Sequence, residues 1–149
     1  SLRSRGIDAE MTMVGCDAPK DVLNIPHVMI HPYVVDVTSF FREADIFILP
    51  TRAECAGIVF CEASAYGLPS FTTGGVPDYV EDGVNGRLLP LEATGDDYAD
   101  AIAELWGDQE AMEKMSLAAR GRYEEELNWD VWMQHFERIV QKALIGSKE

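Results

Sequence analysis

Apolar residues in the first half of the chain come in short runs closed by glycine or proline. AEMTMVG (9–15), HVMIH (27–31, followed by Pro32), DIFILP (45–50) and PSFTT (69–73) each have the length and bracketing of a buried strand. Between the second and third runs the spacing becomes helical, and DVTSFFREA sets Phe40, Phe41 and Ala44 on one face. Between the third and fourth, GIVFCEASAYG predicts a helix closed by Gly67 and Pro69. A turn-rich stretch, GGVPDYVEDGVNG, leads to RLLP, a last short strand. Everything beyond is helical in pattern: DDYADAIAELW, then QEAMEKMSLAARGRYEEEL, then WDVWMQHFERIVQKAL capped by Asn128.

Strands that alternate with helices predict an α/β domain, a parallel sheet with helices on both faces. Ligands of such sheets bind at the carboxyl ends of the strands, where helix N-termini point. The loop TRAECAG lies at that edge, after DIFILP and at the opening of the next helix.

Composition narrows the class. With 149 residues, 47% hydrophobic and 26% charged, the chain is one globular domain spanning 1–149, free of repeats and low-complexity tracts. No apolar run approaches the length of a membrane span, and SLRSRGIDAE lacks a signal peptide's apolar segment. SLRSRG reads as the last turns of a helix ending at Gly6, so the expectation is a piece of something longer. Twelve basic residues against 26 acidic give a net charge of −14. That surface repels phosphate backbones and anionic lipid, which argues against nucleic acid as a partner. A phosphate held here must be gripped locally, by backbone amides or a few basic groups. Cys16, Cys55 and Cys61 are odd in number and form no CxxC pair, which favours a reducing compartment without disulfides. Cys61 reads as a small core residue. His27 and His31 sit four apart on a strand, with no cysteine or carboxylate cluster to complete a metal site.

The chemistry concentrates in FILPTRAECAGIVFCEASAYGLP (47–69), where Glu54 and Glu62 stand among residues that otherwise read as core. A buried carboxylate is costly unless it is paired or hydrogen-bonded. A helix starting near Ala56 or Gly57 offers four amides without intrahelical partners and about half a positive charge from its dipole. Gly57 leaves its backbone open to close approach, so the loop suits a diphosphate. Glu62 then lies about 7.5 Å along the axis at ~1.5 Å per residue, within reach of an attached ribose whose vicinal diol its carboxylate can bind. Glu54 lies on the other side, where a second sugar would sit. The same spacing also admits a purely structural reading, with Glu54 capping the helix and Glu62 paired to Arg52 or Arg42.

PTRAECAGIVFCEASAYGLP, followed by GGVPDYVEDGVNGRLLP, resembles the C-terminal domain of the retaining nucleotide-sugar glycosyltransferases of family 4 (group 1). Those enzymes have the GT-B architecture, two Rossmann-like doubly wound domains with the donor in the cleft between them. Their signature is Glu, seven residues, then Glu, within P-S-x-x-E-G-F-G-x-x-x-x-E-A-x-A-x-G-x-P. Glu54 and Glu62 match that spacing, and Gly57, Ala63, Ala65, Gly67 and Pro69 match the frame. The likeness extends from the MVG strand through ADIFILP to Asn128 and Trp129 at the last helix.

The resemblance implies a donor-binding domain that works with a nucleotide diphosphate sugar, in the cytoplasm and without cofactor or metal. By family pattern Glu62 binds the ribose, while Glu54 contacts the donor sugar near the reacting centre as the catalytic residue. Cys55, Ala56, Gly57 and Ile58 supply amides to phosphate and sugar, and Pro32 and Tyr33 border the base. The acceptor, a sugar, lipid or small molecule, would be supplied by an N-terminal domain. That domain, the first strand of this one and the basic pair that neutralises the diphosphate would all lie upstream. There are departures. Cys55 and Ala56 replace the usual Gly-Phe, Pro32 replaces a glycine and removes one donor, and the turn between Pro69 and Gly74 is about two residues short. Two rival readings remain, a nucleotide-sugar epimerase and a non-catalytic flavodoxin-like interaction module. The resemblance assigns neither base, sugar nor acceptor.

Overall fold

The computed structural model describes residues 2–15, 22–75 and 78–146, so Cys16 and the Val76-Pro77 of GGVP lie outside the described residues. Five short strands and two helices follow one another in the order the hydrophobic pattern predicts: β1 (Met11–Val14), β2 (Val28–His31), α1 (Thr38–Glu43), β3 (Phe47–Leu49), α2 (Ile58–Ala65), β4 (Ser70–Thr73) and β5 (Gly86–Leu89). Then come α3 (Gly95–Trp106), α4 (Gln109–Arg122), a π-helical turn (Tyr123–Leu127) and α5 (Trp129–Gly146). The opening SLRSRG is a single 3₁₀ turn, Arg3–Arg5, closed by Gly6 at φ 83°.

All pairings are parallel, in two ladders, β1-β2 and β3-β4-β5. Among the described residues no backbone hydrogen bond joins the two. Helix α1 bridges them instead. Phe40 packs on His31 of β2, with centroids 4.9 Å apart, and Phe41 packs on Phe47 of β3 at 5.9 Å and on Tyr66 at 5.8 Å.

The period-two alternation of β3 sorts its side chains between two cores. Ile46 and Ile48 join Phe71, Leu89, Tyr98, Ile102, Leu105 and Met115 under α3 and α4. Phe47 points the other way, to Phe41, Ala63 and Leu68 under α1 and α2. The ladder is therefore covered on both faces, and its central strand β4 is buried at every position. Thr72 is tolerated there because its hydroxyl donates to the Leu49 carbonyl at 2.7 Å.

The helix ends follow capping rules. Thr94 and Asp97 form a reciprocal capping box at α3, Asp108 accepts from Ala111 N–H at α4, and Asn128 accepts from Val131 N–H at α5. Among the described residues no helix is long and apolar enough to cross a membrane.

Candidate functional site

The loop between β3 and α2 is fixed from both sides. The hydroxyl of Thr73 on β4 donates to the Thr51 carbonyl, and the Thr51 hydroxyl donates to the Ala53 carbonyl at 2.8 Å. The carboxylate of Glu54 then folds back, its Oε1 accepting from the amides of Cys55 at 3.0 Å and Gly57 at 3.1 Å. Glu54 is half-buried, and it engages the amides of its own loop and of the N-cap Gly57, while no side chain caps the first-turn amides of α2. Its Oε2 has no partner among the described residues.

Helix α2 begins at Ile58, with Gly57 as its N-cap in the left-handed region at φ 61°. A methyl group on Gly57 would lie 3.1 Å from Phe60 Cδ2 and from Tyr79 Cδ2 and Cε2. Two rings therefore close over its Cα from one side, which requires glycine on both counts. With Cys55 and Gly57 engaged by Glu54, the amides of Ala56, Ile58 and Val59 have no acceptor among the described residues. These are the donors the site has to offer, at the positive end of the α2 dipole.

Glu62 is not in the core. It is exposed on α2 one turn beyond Ile58, which is itself 49% exposed, while Phe60, Ala63 and Ser64 face inward. The helix sorts by period, and Ile58 and Glu62 share its open side. Among the described residues Glu62 makes no salt bridge, so neither Arg42 nor Arg52 pairs with it. Cys61, between the two faces, is half-buried, and burial pushes its thiol above the ordinary value with the neighbouring Glu62 charge adding to the effect. Cys55 is exposed in the loop. Tyr33 is 81% exposed after the carboxyl end of β2, following exposed Pro32. An open hollow of about 300 Å³ lies at the opposite end of α2, beside Tyr66, Gly67 and Ser116, and takes no lining from TRAECAG.

Sequence reasoning missed the support behind the loop. Asn85, buried, accepts from Glu81 N–H at 2.7 Å and donates to the Tyr79 carbonyl at 2.8 Å, tying up the turn before β5. The Asn-Gly dipeptide at 85–86 was the available signal. Arg122 reaches across from α4 to the carbonyls of Asp78 at 2.9 Å and Tyr79 at 3.4 Å, and nothing in its local sequence announces that.

Comparison with known proteins decides the family. The profile of the glycosyl transferases group 1 matches residues 1–108. The chain belongs to that family. A D-inositol 3-phosphate glycosyltransferase of Paenarthrobacter aurescens is 33% identical over 99% of this chain and 40% of its own length. A glycosyltransferase from Rickettsia africae superposes with a TM-score of 0.80 at 15% identity, over 96% of this chain and 42% of that one. The pneumococcal O-GlcNAc transferase GtfA, solved with UDP and GlcNAc, gives 0.76 at 17% identity, over 96% and 31%. The fold is thus that of the C-terminal domain of a group 1, GT-B glycosyltransferase, and the chain spans about two fifths of the length of the relative it matches end to end. What joins Glu54, Gly57, Ile58 and Glu62 of this glycosyltransferase domain is a single loop and helix. Tyr33 follows β2 of the separate ladder and is not brought together with them by any hydrogen bond or ring contact among the described residues.

Proposed function

We propose that the chain is the donor-binding half of a retaining glycosyltransferase that transfers a sugar, of hexose type, from a nucleotide diphosphate to an acceptor hydroxyl. One observation carries the reading. Unpaired amides of Ala56, Ile58 and Val59 open α2 at the carboxyl edge of β3, and an unpaired, exposed Glu62 follows one turn later. The amides suit the diphosphate, and Glu62 suits the ribose diol. Family membership and a neighbour solved with UDP support the same substrate class.

In this reading the acceptor oxygen attacks the anomeric carbon from the face the diphosphate leaves. The new C–O bond forms as the bond to phosphate oxygen breaks, and the acceptor proton passes to the departing diphosphate. Charge developing on that leaving group meets the α2 amides and dipole. Glu54, oriented through Oε1 by two amides, offers Oε2 to a hydroxyl of the donor sugar and is not a covalent nucleophile. Tyr33 would border the base, and Cys55 would act through its position beside Glu54. An acceptor domain elsewhere in the full-length protein completes the cleft. The two ladders, ordered β2-β1 and β3-β4-β5, correspond to a 3-2-1-4-5-6 sheet with its first strand left out, and we assign that strand to the full-length protein as well. Free thiols at Cys55 and Cys61 support a cytoplasmic setting.

The test is Glu62→Ala, checked for folding and titrated with UDP. A hydrogen bond to a charged group is worth ~1.5–3 kcal/mol, so binding should weaken about tenfold or more. A 2′,3′-dideoxy nucleotide should lose similar affinity on the wild type and little further on the variant. Folded Glu62→Ala that binds UDP as the wild type does would remove the ribose role.

A further inference from the structure

We propose that Tyr79 and Arg122 are positioning residues that set the amides of the β3–α2 loop for a nucleotide diphosphate, an inference that rests on the donor-site reading above. The connection is continuous. Arg122 ends α4 where the helix widens into the π turn, and its side chain is mostly covered. One guanidinium edge donates to the Asp78 and Tyr79 carbonyls, while Glu126 in the π turn holds Nη2 at 3.2 Å. Asn85 donates to the same Tyr79 carbonyl from the other side. With its backbone held from two directions, Tyr79 has its ring edge over the Cα of Gly57. Gly57 in turn donates to Glu54 and opens α2.

A planar guanidinium fixes two successive carbonyls in a way a point charge cannot. The π turn follows Arg122 and carries Glu126, whose carboxylate holds the guanidinium from beyond the helix end, and such turns recur at functional sites. Neither Tyr79 nor Arg122 needs to touch the ligand. Their effect is on the left-handed turn at Gly57, and through it on the direction of the Ala56, Ile58 and Val59 amides.

The experiment compares wild type, Arg122→Met, Arg122→Lys, Tyr79→Ala and Tyr79→Phe, each confirmed folded by thermal melting. UDP and uridine are titrated against each by NMR, and amide hydrogen exchange at Cys55 and Gly57 is followed without ligand. Arg122→Met and Tyr79→Ala should weaken UDP by about 2- to 30-fold, leave uridine unchanged and speed both amides. Tyr79→Phe should match wild type, and Arg122→Lys should recover part of the loss. Equal losses for UDP and uridine, or wild-type exchange in Arg122→Met, would overturn the proposal. A wild type that binds no UDP, with exchange still faster in Arg122→Met, would sink the donor-site reading and leave the link from Arg122 to Gly57 standing.

Discussion

Replacing Gly57 with alanine tests the loop at its tightest point. Two costs add. A residue with a Cβ in the left-handed region loses ~1–2 kcal/mol, and Gly57 sits there at φ 61°. The new methyl would also lie 3.1 Å from ring carbons of Phe60 and Tyr79, inside the usual 3.5–4.0 Å separation of carbon atoms. Tyr79 is half-buried and can yield, but Phe60 is fully buried and cannot easily do so. Overpacking of that kind adds ~1–3 kcal/mol. About 3 kcal/mol in all corresponds to a fall of roughly 6–12 °C in melting temperature for a domain of this size. Calorimetry or chemical denaturation of Gly57→Ala reads it directly. A double-mutant cycle separates the two costs, because Tyr79→Ala clears one of the rings. The double variant should lose about 1 kcal/mol less than the sum of the singles. A Gly57→Ala protein within about 0.5 kcal/mol of wild type would refute both the backbone and the steric argument.

Other expectations are simpler. Gly86→Ala places a methyl 2.0 Å from the Ser70 carbonyl and 2.7 Å from Val80 Cγ1 at the first β4-β5 pair, so it should cost at least ~3 kcal/mol or prevent accumulation of folded protein; a wild-type melting curve would contradict the register. Asp97 is held below the usual carboxylate range first by the Thr94 amide and then by the Thr94 hydroxyl. A depressed folded value stabilises above the unfolded pKa of ~3.9 and is lost as pH falls through the lower folded value. Asp97→Asn should therefore be the less stable protein at neutral pH and converge with wild type in strong acid, and a gap that stays constant down to pH ~2 would discount the capping charge. Nucleotide binding should survive EDTA, since amides and a helix dipole hold a diphosphate without a cation. Binding abolished by the chelator and restored by a divalent ion would point to a different site.

The order and type of the elements were legible because periodicity changes sharply along this chain. Strands such as DIFILP and PSFTT are short apolar runs between turn residues, and the helices carry their own caps at Thr94, Asp108 and Asn128. The loop and the helix that opens at Gly57 were readable for the same reason. Burial was not. Glu62 looked like a core residue from its neighbours, yet on an eight-residue helix the fifth position turns outward. Glu54 satisfies itself through the amides of its own loop, a local choice that spacing alone left open. Contacts bridging distant segments were beyond sequence pattern altogether. Arg122 and Tyr79 are 43 residues apart, and no periodicity relates them.

The two-ladder arrangement has a consequence for cooperativity. Among the described residues none before Phe41 is buried, and the buried positions lie between Phe41 and Ala119. Residues of β1 and β2 hold each other by their own ladder and reach the rest through the rings on α1. Few apolar contacts and a short ladder mean a small opening free energy. In this chain by itself, without the strand assigned above to the full-length protein, the N-terminal ladder should then behave as a separate foldon, exposed to proteases in a sub-global opening while the β3-β4-β5 core stays intact. Limited digestion would first sever the chain ahead of Thr38 and leave a resistant fragment carrying the loop, Gly57 and both glutamates. The β3–α2 loop and its glutamates would thus belong to the slow, globally unfolding unit, and Pro32 and Tyr33 to the fast one.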